Sequence, residues 1–189
     1  MTIALLVVLV VVAFWVIGAY NGLIALKNQV ANAWKQIDVQ LKRRHDLIPN
    51  LVNAVKGQMD FEKSTLEAVI SARARAVGAT GVAATARAEG ELTQALGKLF
   101  ALAENYPDLK SSANVLQLQE ELSSTENKIG FARQLYNDVA TQYNTKQAQF
   151  PTNLVTGLAK ATPSELWEIT DAGERQVPTV DLSLNRPAT

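Results

Sequence analysis

No charged side chain occurs before Lys27, and from Ile3 to Tyr20 the chain reads IALLVVLVVVAFWVIGAY, apolar except at its last position. As a helix this stretch rises about 27 Å at about 1.5 Å per residue, close to the hydrocarbon thickness of a bilayer. In a soluble core such a run would need apolar partners on every side, more than a chain of 189 residues can supply. The stretch predicts a membrane-anchoring helix over 1–22, with Ile3, Leu5, Val10, Phe14 and Ile17 facing lipid. Trp15 and Tyr20 fall toward one end, where amphipathic aromatics favour the membrane interface.

A cleaved secretory signal would carry a positive segment ahead of the apolar run, but only Met1 and Thr2 stand there, so an uncleaved single-pass anchor is expected. Lys27, Lys35, Lys42, Arg43 and Arg44 follow the run, against the single acid Asp38 between Lys27 and Arg44. By the positive-inside rule the short N-terminus lies outside and the large C-terminal part is cytoplasmic, at a bacterial inner (cell) membrane.

Lys plus Arg number 18 and Asp plus Glu number 18, so the chain lacks the basic surplus that holds nucleic acid, and no nucleic-acid partner is expected. The absence of cysteine removes disulfide scaffolds, thiol catalysis and thiolate metal sites. His45 is the single histidine, which removes multi-histidine metal centres. GxSxG, GxxxxGKS, GxGxxG and HExxH are all absent. The expectation is therefore a protein that is not an enzyme and carries no cofactor and no metal.

Beyond the anchor, apolar residues recur at steps of three and four: Leu23, Leu26, Val30, Trp34, Ile37, Leu41, Ile48, Val52, Val55, Met59, Leu66, Ile70 and Val77. That is helical periodicity near 3.5, interrupted at Arg44 and His45 and again at Glu62 and Arg73. Pro49 has no N–H for the His45 carbonyl, and because the register survives across it, the spacing predicts one kinked, continuous helix from Leu23 to Val77. Gly78–Gly81 reads as a loop, and a second, alanine-rich helix spans about Val82 to Asn105. Tyr106-Pro107-Asp108 is turn chemistry. A third helix holds Val115, Leu118, Leu122, Thr125, Ile129, Ala132, Tyr136, Val139, Tyr143, Lys146 and Phe150 at three-four spacing until Pro151. Thr162-Pro163-Ser164-Glu165 is a capping box that predicts a short helix to about Asp171. The fold expected is all-α: a transmembrane helix, then an elongated antiparallel bundle of long helices with coiled-coil-like packing over 23–172, then an extended tail over 173–189.

Polar residues on the seams are the candidates for interaction. His45 stands with Arg43, Arg44 and Asp46 just before Pro49 and Asn50, and reads as a polar or capping contact rather than a general base. Glu62, Glu67, Glu104, Glu120 and Glu126 can pair across helices with Arg43, Arg44, Arg73, Arg75 and Arg133, fixing register. Tyr-Asn dipeptides recur at 20–21, 136–137 and 143–144; Tyr136, Asn137, Tyr143 and Asn144 share one helical stripe, which suits bundle packing or a recognition surface.

Several stretches together resemble the LemA family of bacterial membrane proteins: Tyr20-Asn21-Gly22-Leu23, Ala33-Trp34, Ile37 through Val52 with its Arg43-Arg44-His45-Asp46 and Pro49-Asn50 segments, Ala72-Arg73-Ala74, Glu104 through Lys110 with Tyr106-Pro107, Leu116 through Leu122, Ala132 through Asn137, and Phe150-Pro151. The resemblance implies an N-terminal membrane helix, a long-helix bundle and an outside N-terminus, and brings no biochemical activity with it. A magnetosome-building relative and the neighbourhood of family genes to a membrane metalloprotease add two hints. The expected function is a membrane-anchored scaffold that self-associates, contacts lipid and organises the adjacent membrane; the alternative is an adaptor for a membrane protease in envelope quality control.

Overall fold

The computed structural model describes residues 1–56 and 63–168. Among them every regular element is helical: α1 Thr2–Lys56, α2 Lys63–Gly78, α3 Val82–Ala103, α4 Pro107–Lys110, α5 Ala113–Ala148 and a 3-10 turn Thr152–Val155. The expected all-α architecture is the one observed.

α1 is a single helix from the apolar run into the bundle, and it passes through Pro49 without a break. Among the described residues its first part has no packing partner: Ile3, Leu5, Val10, Phe14 and Ile17 are all exposed. The packed part begins at Leu23, where burial starts to recur on one face through Val30, Ala33, Ile37 and Leu41. α5 runs antiparallel beside it, since Trp34 meets Tyr136 while Arg44 meets Glu126. α2 and α3 form a second antiparallel pair, turned at Gly81, whose φ of 85° a residue with a Cβ rarely adopts.

The core is in two parts. At the end away from the apolar run, Ile48, Leu51, Val55, Leu66, Val69, Leu92, Leu99, Leu109 and Leu122 form an aliphatic cluster drawn from α1 to α5. Nearer the apolar run, Leu23, Val30, Ile37, Ile129, Tyr136, Tyr143, Val155 and Trp167 form the other. The two meet at the level of Arg44 and His45, the point where the apolar spacing of α1 lapses.

Three expectations are corrected. The helix predicted from Leu23 to Val77 is two: α1 ends at Lys56, and α2 lies back along it so that Arg73 Nε reaches the His45 carbonyl at 2.7 Å. In one continuous helix those residues would stand about 42 Å apart. The register runs on because α2 also buries one face, now through Leu66, Val69, Ala72 and Ala76, which leaves Ile70 and Val77 outside. Met59 and Glu62 lie outside the described residues.

The second correction is the capping box. Residues 161–168 form no helix. The N–H groups of Ser164 and Trp167 and the carbonyls of Ser164, Glu165 and Trp167 are taken instead by side chains of α5. Lateral partners satisfy the backbone as well as a helical turn would, so the local signal loses. The third is the far end of α5, where Ala140 and Gln147 are buried in place of Val139 and Lys146. Beyond Tyr136 the seam keeps Tyr143 and shifts by one position on either side of it, as a 3.5 spacing drifts on a helix of 3.6 residues per turn. Phe150, expected on that seam, lies past the end of α5 and is 80% exposed. The tail over 173–189 lies outside the described residues.

Candidate functional site

Pro49 creates the first demand on the site. It withholds an N–H from the His45 carbonyl, and a carbonyl left bare at half-buried depth costs about 1–3 kcal/mol. Arg73 of α2 supplies the missing donor. The proline inside α1 is thus also the place where α2 is tied on.

One turn of helix carries the next layer. The side chains of Arg44 and Glu89 are each 4% exposed. Glu89 divides its carboxylate, with Oε1 2.6 Å from His45 Nε2 and Oε2 accepting from Arg44 Nη1 at 3.1 Å. Arg44 Nη2 donates to Thr93 Oγ1 at 2.8 Å, and Nη1 lies 3.0 Å from Glu126 Oε2. One guanidinium and two carboxylates thereby join α1, α3 and α5, and Arg73 adds α2. Charges this deep are held by partners on several sides, and each partner specifies which helix residues stand opposite one another.

The remaining named residues separate into groups. Arg43 is exposed, and so are Pro49 and Asn50 on the outer side of α1. Asp46 is exposed and pairs with Lys42 at 2.6 Å, and that hydrogen bond holds its carboxyl below the usual range. Tyr106 packs half-buried against the far core and starts α4, with Pro107 in its first turn. Tyr20 stays exposed on the apolar end of α1. Of the predicted ion pairs Arg44–Glu126 forms; Arg75 pairs with Glu91 instead.

Tyr136, Asn137 and Asn144 act together on residues 161–168, and Tyr143 is buried in the core beside them. Asn144 Nδ2 donates to the Ser164 carbonyl at 2.8 Å while its Oδ1 accepts the Ser164 N–H at 2.7 Å. Asn137 repeats this on Trp167, both contacts at 2.9 Å. Tyr136 Oη donates to the Glu165 carbonyl at 2.7 Å. The spacing explains the fit: seven residues of helix advance about 10.5 Å, and three residues of extended chain about 10 Å. Two asparagines a heptad apart therefore read the backbone of one extended strap at positions three apart. Trp167 closes the strap, buried against Trp34 at 5.9 Å between ring centroids with Arg133 stacked 5.3 Å over its ring. Burial pushes the Tyr136 phenol up, and Glu165 adds to the effect. Burial also raises Tyr143, against a smaller opposite pull from the Thr162 backbone. Glu165 meanwhile accepts the Ala83 N–H at 3.4 Å, at the start of α3 where Gly81 offers no side-chain cap.

Glu89, Thr93 and Trp167 were not among the sequence candidates for a site. Glu89 had a signal: on α3 it falls between Ala86 and Leu92 at helical spacing, a charge on the apolar stripe. The strap had none, because only the packed α5 turns both asparagines toward it.

A cleft of about 320 Å³ opens beside the ionic layer, bordered by Arg44, Glu89, Glu126, Arg133 and Trp167. His45 does not border it, and its Nε2 is engaged with Glu89. Among the described residues no group of three or more His, Asp or Glu is placed to hold a metal ion. What this arrangement does chemically is to fix four helices and a strap in one register.

The relatives agree with a membrane location. Protein LemA of Metamycoplasma hominis is 31% identical over 144 residues, 75% of this chain and 65% of that protein, so the chain spans just under two thirds of its length. Magnetosome proteins MamQ 1 and MamQ 2 of Paramagnetospirillum magneticum are each 24% identical over 203 residues, 93% of this chain and 75% of theirs. The sequence model of the LemA family matches residues 33–182, from inside α1 to beyond the strap, and this chain belongs to the LemA family.

Proposed function

We propose that this chain is a membrane-anchored scaffold, not an enzyme, that self-associates through the outer face of α1 and α5 and organises or shapes the membrane beside it. The observation that carries the reading is an apolar strip on that face. Val39 (64%), Phe131 (73%), Leu135 (43%) and Leu116 (49%) are exposed there, in two shallow grooves that meet at Phe131. Exposed apolar area of this extent suits a protein partner better than water. The bundle lies on the cytoplasmic side of a bacterial inner membrane and the N-terminus outside, as the charge after the span favours. The magnetosome relatives, whose name places them with a membrane compartment, support the membrane-organising part.

The test is the particle mass of the full-length protein in mild detergent, with and without Phe131→Asp. A discrete particle many times the 20.5 kDa chain, reduced by the substitution, is the expected result. A wild-type monomer would move the same strip to the second reading, an adaptor docking on a different membrane protein such as a protease in envelope quality control.

A further inference from the structure

The turn after α5 presents two faces. Thr152, Val155 and Ala159 are buried inward, the latter two in the cluster with Leu23 and Val30. Phe150, Leu154 and Leu158 point the other way and are 80%, 68% and 68% exposed. Large apolar side chains so bare at one turn are costly in water, and the expense falls only if something apolar covers them.

Their height along α1 says what that is. Thr152 and Lys146 share a cleft with Trp15, Gly18, Ala19 and Gly22, at the end of the apolar run. A few residues on, the Lys160 carbonyl accepts from Lys27 Nζ at 3.4 Å, beside the first charge of the chain. The turn therefore stands alongside Trp15 to Lys27, the level at which a helix spanning from Ile3 leaves the hydrocarbon. Lys27, Lys146 and Lys160, all exposed, ring the same level. Apolar side chains flanked by cations are the composition of a segment lying in a headgroup layer. The Phe131 strip is elsewhere: it borders Gln36, about 27 Å up α1 from Gly18.

We propose that residues 150–158 are a second membrane contact, with Phe150, Leu154 and Leu158 inserted into the interfacial layer of the leaflet where α1 emerges and the lysines set against lipid phosphates. The contact ties the base of α5 to the same surface as α1, so the bundle is held at two points and its tilt is set. This inference rests on α1 spanning the bilayer and is independent of self-association.

The absence of native cysteine makes the test direct. Full-length Phe150→Cys, Leu154→Cys and Leu158→Cys are each labelled with a polarity-sensitive fluorophore and reconstituted in vesicles of phosphatidylcholine with a minority of phosphatidylglycerol. The labelled positions are exposed, so no packing is lost. Lipid carrying a nitroxide high on its acyl chain is expected to quench all three labels several-fold, as it does one at Tyr20→Cys, and to leave one at Lys110→Cys unquenched. Quenching of the three by aqueous iodide instead, or protection from both quenchers by a covering protein, overturns the proposal. A label at Leu9→Cys reports on the span: if a deep nitroxide fails to reach it, span and second contact fall together, whereas failure at 150–158 alone removes only the contact.

Discussion

The half of the bundle away from the membrane is held by aliphatic side chains from α1, α2, α3 and α5, and the half near it rests mainly on two helices, a turn and a strap. Four long helices can enclose a core of Leu, Ile and Val without help. Two cannot, because a helix pair leaves most of each seam open to solvent. The near half makes up the difference with large rings and side-chain-to-backbone bonds: Trp34, Tyr136, Tyr143 and Trp167 supply area, and Asn137 and Asn144 supply the partners that a neighbouring element would have given. Between the two lies the ionic layer, and its position suggests its use. A continuous apolar seam tolerates sliding by a turn; a buried Arg44–Glu89 pair does not.

The sharpest way to break this contrast is to remove the layer. Glu89→Ala leaves Arg44 and His45 without their shared carboxylate and is expected to cost about 3–5 kcal/mol, seen as a large fall in the thermal midpoint followed by circular dichroism in detergent. Replacing Arg44, His45 and Glu89 together by Met, Leu and Leu should recover most of that stability while loosening the register. If Glu89→Ala is no worse than a surface change, the layer is not what joins the halves.

Next in size is the tie between α2 and the proline. Arg73→Met bares the His45 carbonyl and should cost about 1–3 kcal/mol. Pro49→Ala restores a helical N–H to that carbonyl, so the two changes should be strongly non-additive, the second offsetting much of the first. Simple additivity would show that Arg73 acts through something else.

Smaller and more local is release of the strap. Asn137→Ala with Asn144→Ala removes four hydrogen bonds to backbone from a segment that the far half does not need, so the loss is confined to the strap. Hydrogen exchange at Ser164 and Trp167 should rise sharply and the Trp167 emission shift red, with little change in the main unfolding transition. A global loss of helix instead would mean that the far half depends on the strap as well.

The smallest expected effect is at high pH. Burial raises the Tyr136 phenol above its ordinary value of about 10, so between that value and its folded one the native state holds a proton that the unfolded chain has lost. The stabilisation from Tyr136 is complete below the unfolded value and declines as pH rises through the folded one. Trp167 fluorescence should report undocking on raising the pH beyond about 10, and Tyr136→Phe should reduce that dependence to the part that Tyr143 contributes.

By itself the sequence determined the apolar helix, the long amphipathic helices with their turns at Gly81 and Pro107, and the membrane-protein class. All of these follow from interactions within a few residues of one another: side-chain spacing, backbone freedom at glycine and proline, and the cost of burying charge. It also marked Arg44, His45, Pro49, Tyr136 and Asn144 as unusual. What each one touches was decided only in three dimensions. The chain between Lys56 and Lys63 carries no proline, so period alone could not tell one helix of Leu23–Val77 from two that fold back, and the choice was made by Arg73 finding the bare His45 carbonyl. The capping box at Thr162–Glu165 lost to asparagines some twenty to thirty residues away, because a lateral amide satisfies the same N–H and carbonyl and adds the burial of Trp167. Short-range propensities are worth a few tenths of a kcal/mol per residue, whereas a buried ring or a bare buried carbonyl is worth more than one, so wherever the two compete the tertiary contact prevails.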